Sequence, residues 1–389
     1  MKKLIAGLLL MILMHENIFA SEIESPNVAA SGAVLMDFET GRVLWEKDMN
    51  KPLAMASTTK IMTAIIALEN GNMSDIVTVS KRASRAPEVK MRLSEGEKIK
   101  LDDLMYALML QSYNDAAVAI AEHVGGSVEE FCNLMTQKAK DLGAENTVFR
   151  TPNGLDLDDH HSTAYDMALI TRYALSNPRF MEIINTPNKT AVSDRGQYNL
   201  RNLNRLLNEY EGANGVKTGF TGMAGQCFVG SAKRGDMQLI SVVLASGWGS
   251  VGKEQKWIDT KRMLDYGFDN YKYMQVVKSG DFYAKVDVNR SREETVGVIC
   301  ETGFKLPVNE NERKMLYIKS DYEKTVNAPV KKGDSLGKLT VYIGDDKLTD
   351  INLIADKSIE RHDLETSLKK ILTKWLEMGT NREINMEEI

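Results

Sequence analysis

The apolar residues of this chain change their spacing along its length, from strand-like to helix-like and back. Two short apolar runs, 33–37 and 42–46, flank a Gly-containing turn and predict a β-hairpin. Helical spacing then dominates residues 57–175, strand-like runs return over 215–245, and a closing helix is expected over 257–273. This order predicts an α+β domain whose sheet is assembled from both ends of the segment.

The spacing changes again near residue 275. Short alternating runs separated by Gly, Asp and Asn predict a small all-β domain over 275–356, after a first domain over 21–274. The remainder, 357–389, contains an amphipathic helix, which would either lie on a membrane surface or pack against protein. Its near-balanced charges weaken attraction to anionic lipid. The apolar face of this helix consists of Leu364, Leu368, Ile371, Leu372, Trp375 and Leu376.

The N-terminus has the parts of a secretory signal. Lys2-Lys3 precede an apolar run over 4–14, and the small residue Ala20 precedes Ser21. These features predict a signal peptide over residues 1–20. The apolar run is shorter than the ~20 residues that span a bilayer, which disfavours an uncleaved anchor. The mature protein is therefore expected to be exported, to the periplasm or the outer face of the cell membrane.

Composition narrows the class of partner and cofactor. The net charge of −5 over 389 residues gives no reason to expect a nucleic-acid partner. Cys132, Cys227 and Cys300 lack metal-ligand spacing, and three cysteines cannot all pair. No P-loop or dinucleotide fingerprint occurs. We therefore expect neither a disulfide framework nor a nucleotide cofactor.

Ser57 and Lys60 stand three residues apart where the first helical pattern begins. Residues at this spacing share a helix face, so the hydroxyl and the amine can meet. A buried lysine readily loses its proton, and a neutral amine beside a hydroxyl can act as its base. Taken alone, the pair is more typical of a Ser N-cap with a surface lysine.

Two further tripeptides give the pair a context. Ser112-Tyr113-Asn114 interrupts an apolar helical region over 101–123, and such a polar break is costly unless its groups are used or satisfied. Lys217-Thr218-Gly219 lies on a predicted strand, where the lysine offers charge and the glycine allows close approach. The combination S-x-x-K, S-x-N and K-T-G is typical of penicillin-binding proteins and class A β-lactamases.

With these motifs, residues 30–274 resemble the serine D-Ala-D-Ala carboxypeptidases, the low-molecular-mass penicillin-binding proteins. The predicted β domain and terminal helix resemble the C-terminal parts of that family. The resemblance implies a penicilloyl-serine transferase fold and an enzyme that trims peptidoglycan stem peptides and binds β-lactam antibiotics covalently. It also favours a membrane-surface position for the helix. Four other stretches contribute to the resemblance to this family: 151–156, 161–168, 202–207 and 215–221.

The resemblance assigns a catalytic role to three residues. Ser57 would be the nucleophile that forms an acyl-enzyme with the penultimate D-Ala, and Lys60 would accept its proton. Ser112 would pass a proton to the leaving nitrogen. The oxyanion hole would combine the backbone N–H of Ser57 with one on the strand after the K-T-G motif. No metal or cofactor is implied.

The resemblance also assigns substrate contacts. Asn114 would hold the substrate amide and orient the catalytic lysine. Lys217 would attract the terminal carboxylate, and Thr218 and Thr221 would add hydrogen bonds to it. Gly219 would let the substrate approach the strand backbone.

Some residues depart from the family pattern or admit another interpretation. Leu203 stands where many relatives have Arg, and Arg205 offers a charge nearby. Cys227 is expected to be a buried strand residue, although it follows the K-T-G motif closely. A possible metal cluster competes with a polar loop, which we favour, at Asp156, Asp158, Asp159, His160 and His161.

Three alternatives to a carboxypeptidase remain open. A class A β-lactamase shares the Ser-Lys machinery but needs a dedicated deacylating Glu, and no Glu here has a convincing position. A DD-endopeptidase would cut cross-links with the same residues. A non-catalytic wall-binding protein would be expected to lack a catalytic residue, whereas Ser57, Lys60, Ser112 and Lys217 are all present.

Overall fold

The computed structural model describes residues 24–362 and 364–380, so the predicted signal peptide lies outside the described residues. The strands of the first part are β1 (Gly32–Asp37), β2 (Val43–Lys47), β3 (Ile76–Thr78), β4 (Lys98–Lys100), β5 (Asn188–Val192), β6 (Gln197–Arg201), β7 (Ala213–Thr221), β8 (Gly225–Arg234) and β9 (Met237–Leu244). Its helices are α1 (Lys60–Asn70), α2 (Lys81–Ser84), α3 (Leu101–Leu110), α4 (Asn114–Gly125), α5 (Val128–Asp141), α6 (Ala164–Leu175), α7 (Pro178–Asn185), α8 (Leu206–Glu209) and α9 (Gly249–Asn270).

The main sheet is antiparallel, in the order β2-β1-β9-β8-β7. β1 pairs with β9, so the sheet joins both ends of this part of the chain as predicted. Every residue of β1 is buried, because helices cover both faces of the sheet. Val34 and Met36 face the core shared with α1, whereas Leu35 faces the core shared with α9.

The helical layer is built around α1. Its residues from Lys60 to Ala67 are all buried, and α3, α4, α5, α6 and α7 pack around it. A short 3-10 helix, Ala56–Thr59, leads into α1. Ser57 therefore lies in a tighter turn just ahead of the α-helix. This turn touches β7 and β8, so the start of α1 meets the edge of the sheet.

The second part of the chain is mainly β-structure. Its elements are β10 (Lys272–Val277), β11 (Phe282–Asn289), β12 (Thr295–Cys300), β13 (Phe304–Val308), α10 (Glu310–Met315), β14 (Leu316–Tyr322), β15 (Thr325–Asn327), β16 (Ser335–Ile343), β17 (Asp346–Ala355) and α11 (Leu364–Thr380). Six strands form one sheet, in the order β14-β16-β17-β12-β11-β15, and β10 pairs with β13. Arg42 links the two parts through an ion pair with Glu312 at 2.6 Å.

The predicted α+β class, the helical break between α3 and α4, and the C-terminal β-structure are all confirmed. Helix α7 was not predicted, since the helical spacing ends at residue 175 and is followed by Pro178. It occupies the first turn of α7, where its missing N–H is tolerated, and the Asn177 side chain caps that turn. The closing helix α9 begins at Gly249 rather than at the predicted residue 257. The prediction missed its first turns because they carry few apolar residues.

Five apolar residues of helix α11, from Leu368 to Leu376, are exposed. Leu368, Ile371 and Trp375 are all more than half exposed. Among residues 24–362 and 364–380, no helix combines the length and the apolar character needed to cross a membrane.

Candidate active site

The turn that begins α1 brings Ser57 and Lys60 together. Lys60 Nζ lies 3.0 Å from Ser57 Oγ. The preceding residue, Ala56, has a positive φ of 48°, which turns the backbone sharply ahead of the serine. Lys60 has no exposed surface, whereas Ser57 is partly accessible. The hydroxyl is therefore reachable from solvent while the amine behind it is not.

Lys60 has two further acceptors around its amine. Its Nζ lies 2.9 Å from Asn114 Oδ1 and 2.5 Å from the backbone oxygen of Asn153. Burial lowers the pKa of Lys60 well below its ordinary value, the positive charge of Lys217 lowers it further, and Asp115 opposes the shift. A neutral amine has two N–H groups for the two carbonyl oxygens. Its lone pair is then left for the Ser57 hydroxyl.

The break between α3 and α4 supplies the second motif. Ser112 has a positive φ of 62° between the two helices. Asn114 begins α4, is buried, and donates its amide to the backbone oxygens of Pro87 (3.2 Å) and Glu88 (3.1 Å). The Ser112 hydroxyl oxygen is buried and has no hydrogen-bond partner within the described part of the chain. Its hydrogen-bonding capacity is therefore not used by the described residues.

Strand β7 supplies the third motif and forms one edge of the main sheet. A Cβ placed on Gly219 would lie 2.9 Å from the backbone nitrogen of Ser57, so only glycine allows this approach. Thr218, the next residue back along the strand, is partly exposed. Thr221 lies further along β7 and donates its hydroxyl to Asp156 Oδ1 at 2.7 Å. Strand β7, which carries the K-T-G motif, thus runs directly beside the turn Ala56–Thr59, which we call the serine turn.

Two buried lysines give this edge a positive charge. Lys217 is 3% exposed, and its Nζ donates to the backbone oxygen of Thr218 at 3.2 Å. Burial lowers the pKa of Lys217 to about 7, and the charge of Lys256 lowers it too. Burial likewise lowers the pKa of Lys256 to about 8. Lys256 donates to the Gln226 side chain and stands over the Trp257 ring. An anionic group bound here would stabilise the protonated forms of both lysines.

The 151–160 loop packs against the turn that contains Ser57. Gly154 has a positive φ of 82°, and a Cβ on it would overlap the Ala56 backbone oxygen at 1.9 Å. His160 accepts the Arg150 N–H at Nδ1 (3.0 Å), and its Nε2 lies 3.0 Å from Thr59 Oγ1. Burial lowers the pKa of His160 to about 4, so the ring is a neutral structural element.

Two carboxylates of this loop bond to protein groups. Asp159 pairs with Arg150 at 2.5 Å, and Asp156 accepts from Thr221. Among the described residues, no group of three or more His, Cys, Asp or Glu is arranged to hold a metal ion. The segment is a polar loop that fixes the serine turn against β7.

The structure also locates three other residues noted in the sequence. Arg205 is held by Glu209 and Glu254, both at 2.7 Å, and Leu203 is 48% exposed. Cys227 lies opposite Gly219 in the β7–β8 pairing and is fully buried. Burial raises the pKa of its thiol to about 12, which keeps the thiol protonated and unreactive.

This geometry can be compared with known proteins. Residues 20–247 match the family model described as D-alanyl-D-alanine carboxypeptidase, which covers more than half of the chain. The chain belongs to this family. Residues 271–361 match the model of the C-terminal domain of penicillin-binding protein 5. The predicted resemblance to the low-molecular-mass penicillin-binding proteins is thus confirmed, as is the assignment to the serine carboxypeptidases.

Individual carboxypeptidases are similar over most of their length. DacF of Bacillus subtilis is 34% identical over 360 residues, which span 89% of this chain and 90% of DacF. DacC of Escherichia coli is 30% identical over 382 residues, 92% of each chain. The solved structure of penicillin-binding protein 5 from Haemophilus influenzae superposes with a TM-score of 0.74 at 26% identity and covers 87% of this chain and 100% of that one. The penicilloyl-serine transferase fold is therefore confirmed.

Some residues of this carboxypeptidase site were not singled out in the sequence. The backbone oxygen of Asn153 receives the Lys60 amine and lies 3.4 Å from Ser57 Oγ. Asp115 is fully buried and accepts the Met91 N–H (2.9 Å) and the Leu93 N–H (3.1 Å), which holds the loop that orients Asn114. The only signal for Asn153 was its place in the family-like 151–156 stretch.

Replacing Gly219 by Ala is expected to slow acylation by penicillin about a hundredfold, because the new Cβ must push β7 away from the Ser57 N–H. Stopped-flow or gel-based labelling with fluorescent penicillin measures this rate. Gly196→Ala is the matched control, since nothing lies within 4 Å of the Cβ that it would add. Equal acylation rates for the two variants would contradict the role given to Gly219.

Proposed function

We propose that this protein removes the terminal D-Ala from peptidoglycan stem pentapeptides through an acyl-enzyme on Ser57, and that β-lactam antibiotics acylate the same hydroxyl. The observation that carries the proposal is the fully buried amine of Lys60, 3.0 Å from Ser57 Oγ. An amine with a lowered pKa, fixed beside a hydroxyl, is the arrangement that a general base requires.

During acylation a proton moves from Ser57 to Lys60 and then from Lys60 to the leaving amine. As Ser57 Oγ bonds to the carbonyl carbon of the penultimate D-Ala, its proton passes to Lys60 Nζ. The oxyanion accepts hydrogen bonds from the N–H groups of Ser57 and Phe220, the residue after Gly219. The bond from that carbon to the terminal nitrogen then breaks, and the Ser112 hydroxyl relays the proton from Lys60 to the leaving amine. Free D-Ala departs and leaves an ester on Ser57.

Hydrolysis repeats these steps with water. Neutral Lys60 takes a proton from a water molecule that attacks the ester carbon. The bond to Ser57 Oγ breaks, and the oxygen takes back the proton that Lys60 accepted from water, which leaves Lys60 neutral. The same two N–H groups stabilise the second tetrahedral intermediate. The shortened stem peptide leaves with a new carboxylate.

Substrate binding uses the charge and backbone of β7. Lys217 attracts the terminal carboxylate, Lys256 strengthens the positive potential behind it, and Thr218 donates a hydrogen bond. Asn114 contacts the substrate amide. Because Gly219 has no side chain, β7 lies close to Ser57, and a peptide bound along β7 is within reach of the serine hydroxyl. Thr221 is not given the hydrogen bond to the carboxylate expected from the sequence, because its hydroxyl donates to Asp156 and joins β7 to the 151–160 loop.

The test is release of D-Ala from a model pentapeptide by the purified protein without residues 1–20, beside a cross-linked peptide dimer. We expect D-Ala from the pentapeptide and little cleavage of the dimer. Dimer cleavage that exceeds D-Ala release would favour an endopeptidase. Rapid turnover of penicillin with no D-Ala release would favour a β-lactamase.

We also infer that residues 1–20 direct export, that 21–274 form the catalytic domain and 275–356 the β domain, and that 357–389 attach the enzyme to the membrane surface. The exposed apolar face of α11 supports the last point. Deleting residues 364–389 is expected to move the protein to the soluble fraction. This deletion spares the backbone pairing of Ile359 with Val330. Membrane retention of the shortened chain, measured by fractionation, would refute the attachment.

A further inference from the structure

Strand β14 forms one edge of the six-stranded sheet in the second part of the chain. Its five central residues, from Tyr317 to Asp321, are all exposed. The strand is seven residues long, contains no proline, and pairs with β16 without a register shift. Edge strands are commonly protected by brevity, proline or a bulge, and the opposite edge of this sheet, β15, is only three residues long. The outer edge of β14 can therefore accept a further strand.

One face of β14 continues the apolar face of its neighbour β16. Ile318 is paired with Val341 and Ser320 with Leu339, and residues paired across two strands lie on the same face of the sheet. Val341 and Leu339 have no exposed surface, whereas Ile318 is 37% exposed. A strand added beside β14 would cover the part of the Ile318 side chain that is now in solvent.

The other face of β14 ends a row of alternating charges. Lys338 of β16 lies 3.8 Å from Asp350 of β17, and its cross-strand partner on β14 is Asp321. Lys319 lies on the same face as Asp321, two residues earlier in the strand. Among the described residues, neither Lys319 nor Asp321 has an ion-pair partner. The row therefore lacks a positive charge beyond Asp321, outside the sheet edge.

A second copy of β14 complements both faces in one register. Two identical strands that pair antiparallel are related by a two-fold axis, so the residue on the axis fixes the register. With Ser320 on the axis, Lys319 of each copy lies opposite Asp321 of the other, and Ile318 lies opposite Tyr322. With Lys319 on the axis, two lysines would instead face each other. Opposite charges directly across a strand pair stabilise it, and like charges destabilise it.

We propose that two copies of this protein associate through β14, paired antiparallel about Ser320, and join their six-stranded sheets into one continuous sheet. The contact places Lys319 of each copy beside Asp321 of the other and covers Ile318 in both. Each copy contributes one strand, so the interface is small and dissociation constants in the micromolar range are expected. This inference does not depend on the proposed function.

Charge reversal tests this inference in the protein without residues 1–20, with analytical ultracentrifugation over a range of concentrations as the measurement. The wild type is expected to dimerise. Asp321→Lys and Lys319→Asp should each weaken association about tenfold, because each places like charges opposite each other on both sides of the axis. The double variant Lys319→Asp/Asp321→Lys restores opposite charges and should associate about as strongly as the wild type. All variants should keep the wild-type rate of labelling by fluorescent penicillin.

Ser320→Cys tests the position of the axis. Residues directly opposite in an antiparallel pair have Cα atoms about 4.5–5.5 Å apart, which a disulfide can bridge. Oxidation should therefore give a cross-linked dimer on a non-reducing gel, whereas Ser74→Cys, the matched control at an exposed serine of the first part, should give none. A wild type that stays monomeric throughout the micromolar range, single reversals that associate normally, a double variant without recovery, or no cross-link at residue 320 would each overturn the proposal.

Discussion

Ser57→Ala is expected to abolish both labelling by fluorescent penicillin and release of D-Ala, because no other hydroxyl in the site has the Lys60 amine beside it. Gel fluorescence and a D-Ala assay measure the two losses. Ser74→Ala, which changes an exposed serine, should leave both signals intact. Undiminished labelling of the Ser57→Ala protein would falsify the nucleophile assignment.

The companion variant Lys60→Arg separates the charge of this side chain from its basicity. Arginine is positively charged and cannot lose its proton in a protein, so it cannot act as a base. Acylation is expected to fall by about 10²–10⁴, the usual contribution of a general base. Retained acylation in Lys60→Arg would show that the lysine acts through its charge.

Lys217→Met is expected to remove most of the carboxypeptidase activity and to stabilise the fold. Without the lysine that is proposed to bind the terminal carboxylate of the substrate, kcat/KM should fall about a hundredfold. The stabilisation follows from burial, since the folded protein holds Lys217 with a pKa near 7 instead of 10.5. Relief of that penalty is on the order of a few kcal/mol at neutral pH. Methionine fills a similar volume without a charge.

The lowered pKa of Lys217 also predicts how the stability difference between Lys217→Met and wild type changes with pH. Between pH 7 and 10.5 the unfolded chain binds more protons at residue 217 than the folded chain does. The stability of the wild type therefore rises with pH across this window, and the advantage of Lys217→Met shrinks towards pH 10.5. Thermal unfolding at several pH values measures both effects, with the exposed Lys233→Met as control. A Lys217→Met protein that is no more stable than wild type at pH 7 would contradict it.

The parts of the site that are predictable from the sequence are those in which residue type carries the chemistry. Ser57, Lys60 and Lys217 are examples, because only certain side chains can serve as nucleophile, base or cation. Asn153 contributes its backbone oxygen to Lys60, and any residue type has that group. Its position depends on a contact between segments 93 residues apart, which no local pattern encodes.

The same reasoning explains what was missed in the fold. The break between α3 and α4 was predicted because polar residues interrupt a long apolar repeat. The hairpin of β5 and β6 was missed because only Ala191 and Leu200 of its residues are buried. Lys256 was missed because its effect arises from its burial, at 9% exposure, near a second cation.

The pairing of β1 with β9 also bears on when the enzyme becomes active. The serine turn belongs to the first part of the chain to be synthesised, whereas the strand that walls it, β7, and the strands that hold β7 in the sheet end only at Leu244. Sheet contacts between such distant segments form late, because a long loop must close first. A nascent chain therefore carries Ser57, the proposed nucleophile, in an incomplete cleft, and we expect activity only when the last strand of this sheet has joined the first.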